Sequence, residues 1–252
     1  MINIKDKFLN YVKQYDQNDS QIKLKTNHTL RVMNLCTQIA TRLNLSQEEI
    51  DLATLCGLLH DIARFEQIKV YQTYNDYTSI DHGDLGVEIL KKNNFIREFN
   101  KKDEDDELIY TAIRYHNKYA IPNDLTDREK LFCNIIRDAD KIDNFYLEVK
   151  GEIKIDLANT KFSDKVYKTL IDKKLVLLAD KNTKADTAAI ILGFYFDLAL
   201  IPSFEIVKEN DYLNKQIDIY LSNANNNDLR EQLIELRKIM NDYIDRRCKN
   251  VR

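Results

Sequence analysis

Apolar residues recur at helical intervals through most of the chain. From Asn27 to Leu43, the residues Val32, Leu35, Cys36, Ile39 and Leu43 share one face of a helix, and His28, four positions before Val32, lies on the same side. Ser46-Gln47-Glu48-Glu49 has the form of a capping box, in which hydroxyl and carboxylate satisfy the free N–H groups of a helix start. The helix it opens runs through Ile50, Ala53, Leu55 and Leu58 and ends near His60-Asp61. Residues 65–80 lose this periodicity and read as a long loop, whose Tyr71, Tyr74 and Tyr77 are expected to pack partly buried. Asp81 then stands where a cap belongs, ahead of a helix with His82, Leu85, Ile89 and Leu90. The acidic tract Asp103 to Glu107 complements the positive end of the next helix, whose Leu108/Ala112 stripe carries His116. A second capping box, Thr126-Asp127-Arg128-Glu129, starts a helix through Phe132, Ile136 and Asp140. Later helical patterns cover 185–200, 203–222 and 228–246, parted by Ile201-Pro202 and by the polar run Asn223 to Asn227.

Composition supports an all-α reading, because five glycines and two prolines in 252 residues supply too few turns for an all-β fold. The expected architecture is a helical bundle over residues 1–150 that carries the chemistry, with a helical C-terminal region, 151–252, packed on the same domain. Of the four cysteines, Cys36, Cys56 and Cys133 have apolar neighbours, as reduced core thiols do, and Cys248 stands apart. No apolar stretch is long enough to span a bilayer, and MINIKDKFLN lacks the apolar core of a secretory signal, so a cytoplasmic protein without membrane attachment is expected. The 38 basic and 41 acidic residues leave a net charge of -3, which provides no general attraction to a nucleic-acid polymer. Homo-oligomerisation is left open.

Candidate chemistry rests on the four histidines, His28, His60, His82 and His116, each on an inward face or near a helix end. A lone inward histidine is ordinarily a hydrogen-bonded core residue. Four of them, together with the inward carboxylates of Asp61 and Asp140, point instead to metal ligation. Imidazole nitrogens and carboxylate oxygens bind several divalent ions, and one carboxylate can bridge two. Paired ions suit phosphoryl chemistry, because they activate water and neutralise phosphate oxygens.

The motifs are more specific than the count. Asn27-His28-Thr29, Leu58-Leu59-His60-Asp61-Ile62-Ala63-Arg64 and Asp138-Ala139-Asp140-Lys141 resemble the His, His-Asp and Asp motifs of the HD superfamily. Asp81-His82-Gly83-Asp84-Leu85-Gly86 and Ile113-Arg114-Tyr115-His116-Asn117 resemble two further histidine motifs of its dinuclear members. The resemblance spans about residues 25–148 and implies an all-helical fold. It implies that His28, His60, Asp61 and Asp140 surround one metal, that Asp61 bridges to a second held by His82 and His116, and that a bridging water or hydroxide is the nucleophile. The cofactors implied are two divalent transition-metal ions, iron, manganese, cobalt or nickel, with zinc and magnesium also compatible.

Members with this arrangement are commonly phosphohydrolases or phosphodiesterases, so the implied activity is hydrolysis of a small nucleotide-like phosphoester. Arg64 and Lys141 adjoin motif residues and are the candidate catalytic and substrate-binding cations. The cyclic-dinucleotide branch usually has a lysine at the position of Arg64 and a Gly-Tyr-Pro motif that this chain lacks, which argues against that substrate class. For Asp84, Arg114 and Asn117, capping or surface solvation is the ordinary role. Two other readings compete. Mixed-valent di-iron oxygenases of the same superfamily have a similar ligand set, and a non-catalytic regulatory module would use the metal only structurally. Phosphate-binding cations favour the hydrolase over the first, and the completeness of the six-ligand set favours it over the second.

Overall fold

Helices begin where side chains can satisfy their first N–H groups. Ser46 accepts from the amide of Glu49 and Asp81 from the amide of Asp84. Thr126 and Glu129 cap reciprocally, Glu129 Oε2 accepting from the Thr126 amide at 2.8 Å and Thr126 Oγ1 from the Glu129 amide at 3.2 Å. The computed structural model describes residues 4–249. Its helices are α1 (Ile4–Val12), α2 (Ser20–Arg42), α3 (Gln47–Leu59), α4 (Arg64–Tyr71), α5 (His82–Lys91), α6 (Asp106–Tyr115), α7 (Asp127–Val149), α8 (Asp164–Ile171), α9 (Asp186–Gly193), α10 (Ile201–Glu209), α11 (Tyr212–Asn223) and α12 (Asn227–Lys249). No strand occurs among the described residues, so the fold is all-α as expected. None of these helices is long and apolar enough to cross a membrane.

The chain divides into two compact units, one ending at Ala139 and one beginning at Asp140, and the division falls inside α7. In the first unit α2 lies along α3 and α5 along α6. Glycines permit both approaches. A Cβ on Gly57 would lie 2.7 Å from Cys36 Sγ, and one on Gly83 would lie 2.7 Å from the backbone oxygen of Arg114. Val32, Cys36, Ile39, Leu58, Leu59, Ile62 and Ile113 are fully buried there. In the second unit α12 packs on α8, α10 and α11, and Tyr195 stacks on Phe145 with ring centroids 3.9 Å apart.

Several boundaries differ from the sequence reading. Residues 65–80 do not form one loop, because α4 occupies 64–71 and buries Phe65, Gln67 and Ile68. It ends where Gln72 turns left-handed, at φ 56°. Tyr74 is only half-buried, and Tyr71 and Tyr77 are exposed rather than packed. The 203–222 pattern is broken at Asn210-Asp211, where Asp211 has φ 53° and cannot continue a right-handed helix. Pro202 sits in the first turn of α10, where its missing N–H costs no hydrogen bond. In 185–200, α9 stops at Gly193 and a short 3-10 turn follows over Phe194–Asp197. α2 starts at Ser20, ahead of the predicted Asn27, with Asp19 accepting from the Gln21 amide at 2.7 Å. Cys36, Cys56 and Cys133 are buried free thiols, as read from the sequence.

Candidate metal centre

Two of the histidines cap their own helices. His60 follows α3, and its Nδ1 lies 2.8 Å from the Gly57 carbonyl; His116 follows α6, and its Nδ1 lies 2.6 Å from the Ile113 carbonyl. The last carbonyls of a helix lack amide partners, and an imidazole N–H placed three residues on supplies one. A carbonyl only accepts, so each Nδ1 carries a proton, and Nε2 is the nitrogen left to bind a metal. His82, at the start of α5, reaches the same state by another route: its Nδ1 donates to Asp76 Oδ2 at 2.6 Å. Burial holds the His82 imidazole down to about 4 against the opposing pull of Asp76, so the ring is neutral near pH 7.

The Nε2 atoms meet in pairs. His82 Nε2 and His116 Nε2 are 3.0 Å apart, and His28 Nε2 lies 3.3 Å from His60 Nε2. Between the two histidine pairs sits the buried carboxylate of Asp61. Its Oδ2 faces His28 at 3.4 Å and His60 at 3.6 Å, while its Oδ1 faces His82 at 3.5 Å and His116 at 3.7 Å. The ligand atoms of His28, His60 and Asp61 lie within 4.8 Å of one another, as do those of Asp61, His82 and His116. Buried imidazole nitrogens and a carboxylate gathered this closely form a donor set that could hold metal, in two groups that have Asp61 in common. All five residues are at most 5% exposed. Burial alone would raise the Asp61 carboxyl, but Lys25 and the surrounding imidazoles outweigh it and hold the group well below the usual carboxylate range.

Around this core the chain builds supports. Asp76 accepts from His82, from Arg64 at 3.0 Å, from Gln67 Nε2 at 2.9 Å and from Asn117 Nδ2 at 3.1 Å. Burial pushes its carboxyl up, yet the His82 hydrogen bond, Arg64 and Gln67 prevail and keep it ionised below the ordinary range. Arg137, on α7, donates to the carbonyls of Tyr115, His116, Lys118 and Tyr119, which fixes the segment after α6 that carries His116. Of the flanking polar residues, Asp84 and Arg114 form a partly exposed ion pair at 3.1 Å, whereas Asn117 belongs to the Asp76 network.

Of the two predicted cations, Arg64 has its Nε 3.4 Å from Asp61 Oδ1, and its NH1 also donates to Gln67 and to the Tyr74 carbonyl. Lys141 belongs to the second unit and pairs with Asp197 at 3.0 Å. The sixth predicted ligand, Asp140, is half-buried on α7 as the first residue of that unit. Sequence reasoning missed Asp76 and Lys25, the latter 2.8 Å from Asp61 Oδ2. Lys25 is three residues before His28 on the same helix, a usable signal; Asp76 lies in an aperiodic segment that offered none.

No curated protein and no solved structure shows significant similarity to the chain. Residues 26–144 match the HD domain family, a segment that contains all six motif residues from His28 to Asp140 and the buried His/Asp cluster, and this segment of the chain is an HD domain.

Proposed function

We propose that the chain is a metal-dependent phosphohydrolase acting on a nucleotide or a related small phosphoester. The observation that carries this reading is the buried Asp61 carboxylate, which offers one oxygen to His28 and His60 and the other to His82 and His116. That donor set suits two divalent ions such as iron, manganese, cobalt or nickel. When bound, such a pair lowers the pKa of water and neutralises charge developing on a phosphoryl group.

The chain's own residues prepare for this. Asp61 is ionised by its surroundings, and the Nδ1 partners of His60, His82 and His116 fix their ring orientations. Arg64, anchored through NH1 with its Nε toward Asp61, supports contact with a phosphate oxygen, and Lys25 brings a second positive charge to the same carboxylate. Lys141 is already paired with Asp197, and the reading requires no second role for it. Asp140 enters as the sixth ligand on the strength of its Asp138-Ala139-Asp140-Lys141 motif.

Metal content of aerobically and anaerobically purified protein, measured with phosphate release from nucleotides and phosphomonoesters under added manganese, iron, cobalt, nickel or magnesium, tests the proposal. It expects close to two ions per chain and metal-dependent release of phosphate. Asp61→Ala should lose both ions and the activity, whereas His82→Ala should lose one. Absence of metal under every condition would overturn it. Two irons with oxygen uptake and no phosphate release would replace it with the oxygenase reading.

A further inference from the structure

The second unit holds a cavity of about 590 Å³, lined by the end of α7, the segment after it and α11. This is the size of a small-molecule site. In its wall stands Glu148, only 3% exposed. Glu148 Oε2 accepts from Gln216 Nε2 at 2.5 Å and from the Tyr220 hydroxyl. Gln216 Oε1 in turn accepts from the hydroxyl of Tyr195, the ring stacked on Phe145. Both donors therefore converge on one carboxylate oxygen, and the other, Oε1, has no hydrogen-bond partner. Protonation does not remove the deficit, because a proton on Oε1 would be a buried donor without an acceptor. The polar chain that fixes Glu148 is complete except at this buried atom, which belongs to a residue of the cavity wall.

The rest of the lining narrows the ligand. Ile153, Ile155, Leu157 and Ile219 give it apolar walls, and Lys150 and Lys154 are exposed cations on the same cavity. Lys154 also lines an adjoining hollow of about 400 Å³ with Lys181 and Lys184, the latter paired with Asp156. A simple amine would meet these lysines as like charges, whereas a molecule with an N–H donor at one end and an anionic group at the other satisfies both ends.

We propose that this cavity is a second ligand site, separate from the metal centre, that takes a small molecule with an N–H-bearing ring for Glu148 and a phosphate for Lys150 and Lys154, in the manner of a nucleoside monophosphate. It does not rest on the phosphohydrolase reading, since none of its residues is a predicted metal ligand.

Calorimetric titration of the full chain with GMP, AMP and ribose 5-phosphate tests it. The expected result is binding of at least one of the two nucleotides at a site that is weakened at least tenfold by Glu148→Gln and is retained in Asp61→Ala, which removes the metal centre. Ribose 5-phosphate, which lacks the N–H donor, should not bind. A Lys150→Ala/Lys154→Ala variant changes only exposed side chains and should weaken the nucleotide several-fold more than the corresponding nucleoside. Failure of both nucleotides to bind, equal binding by ribose 5-phosphate, or nucleotide binding unchanged in both variants would overturn the proposal. So would preferential binding of a polyamine such as spermidine at the Glu148 site.

Discussion

Asp76 does for His82 what backbone carbonyls do for His60 and His116: it accepts a hydrogen bond from Nδ1 and so turns Nε2 toward Asp61. Substitutions of residues in this role commonly cost 10–100-fold in metal affinity. Asp76→Ala should therefore show metal binding weakened by about that factor at one of two sites, with activity recovered by excess metal; unchanged affinity would mean that His82 is oriented by packing alone. Glu148 supports a second prediction at this scale. Burial raises its carboxyl from 4.5 to about 7, so between those values the folded protein binds more protons than the unfolded chain. Its contribution to stability is thus present at low pH, falls as pH rises through that window, and is flat above it. Urea unfolding should show Glu148→Gln gaining on the parent protein by up to roughly 3 kcal/mol between pH 4.5 and 8. Parallel pH profiles for the two would refute this. The clustered histidines and Asp61 were legible in the sequence because histidine is rare in this chain and these residues sit on or at the ends of apolar helical stripes. Asp76 was not, since its importance arises from a fold-back that brings residue 117 beside residue 76, which no local pattern encodes.

Among the elements, α5 and α6 set the second histidine pair by packing closely enough that Gly83 has no room for a side chain. A methyl group there would meet the Arg114 carbonyl and Asn117 Oδ1, each at 2.7 Å, and the first of these is backbone that cannot rotate away. Gly83→Ala should cost about 1–3 kcal/mol, as overpacking does, and should weaken metal binding because His82 is the adjacent residue. A thermal melt and a metal titration check both parts, and a variant with unaltered metal affinity would show that α5 can shift without moving His82. The helices themselves were legible wherever a capping residue preceded a periodic stripe, as at Ser46, Asp81 and Thr126. α4 escaped notice because it is short and its buried face includes the polar Gln67, whose amide reaches Asp76, Ser79 and the Ile80 carbonyl. The break at Asp211 escaped because the apolar spacing continues across it while the backbone turns left-handed.

For the molecule as a whole, the division between compact units falls inside a continuous helix, a place that periodicity cannot mark because α7 has no interruption there. A metal held by the buried histidines and Asp61 would tie stability to its binding. A ligand that binds only the folded state stabilises it by about 4 kcal/mol at a thousandfold excess over Kd. For a chain of this size that corresponds to roughly 8–16 °C in Tm. Calorimetry with manganese or iron added, and then with chelator, should show a rise and its reversal; an unmoved transition would mean that the cluster does not hold metal in the folded protein. The helix ends bearing His60 and His116 have a further consequence. A helix accumulates partial negative charge at its C-terminus, so α3 and α6 both direct an electrostatic field favourable to cations at the centre, against the N-termini of α4, which begins three residues after Asp61, and of α5. That field belongs to the peptide backbone and survives any change of side chain. Loss of a single imidazole should leave the other three and Asp61 held within or at the ends of their helices, so that the ion lost in a variant such as His82→Ala returns at higher metal concentration.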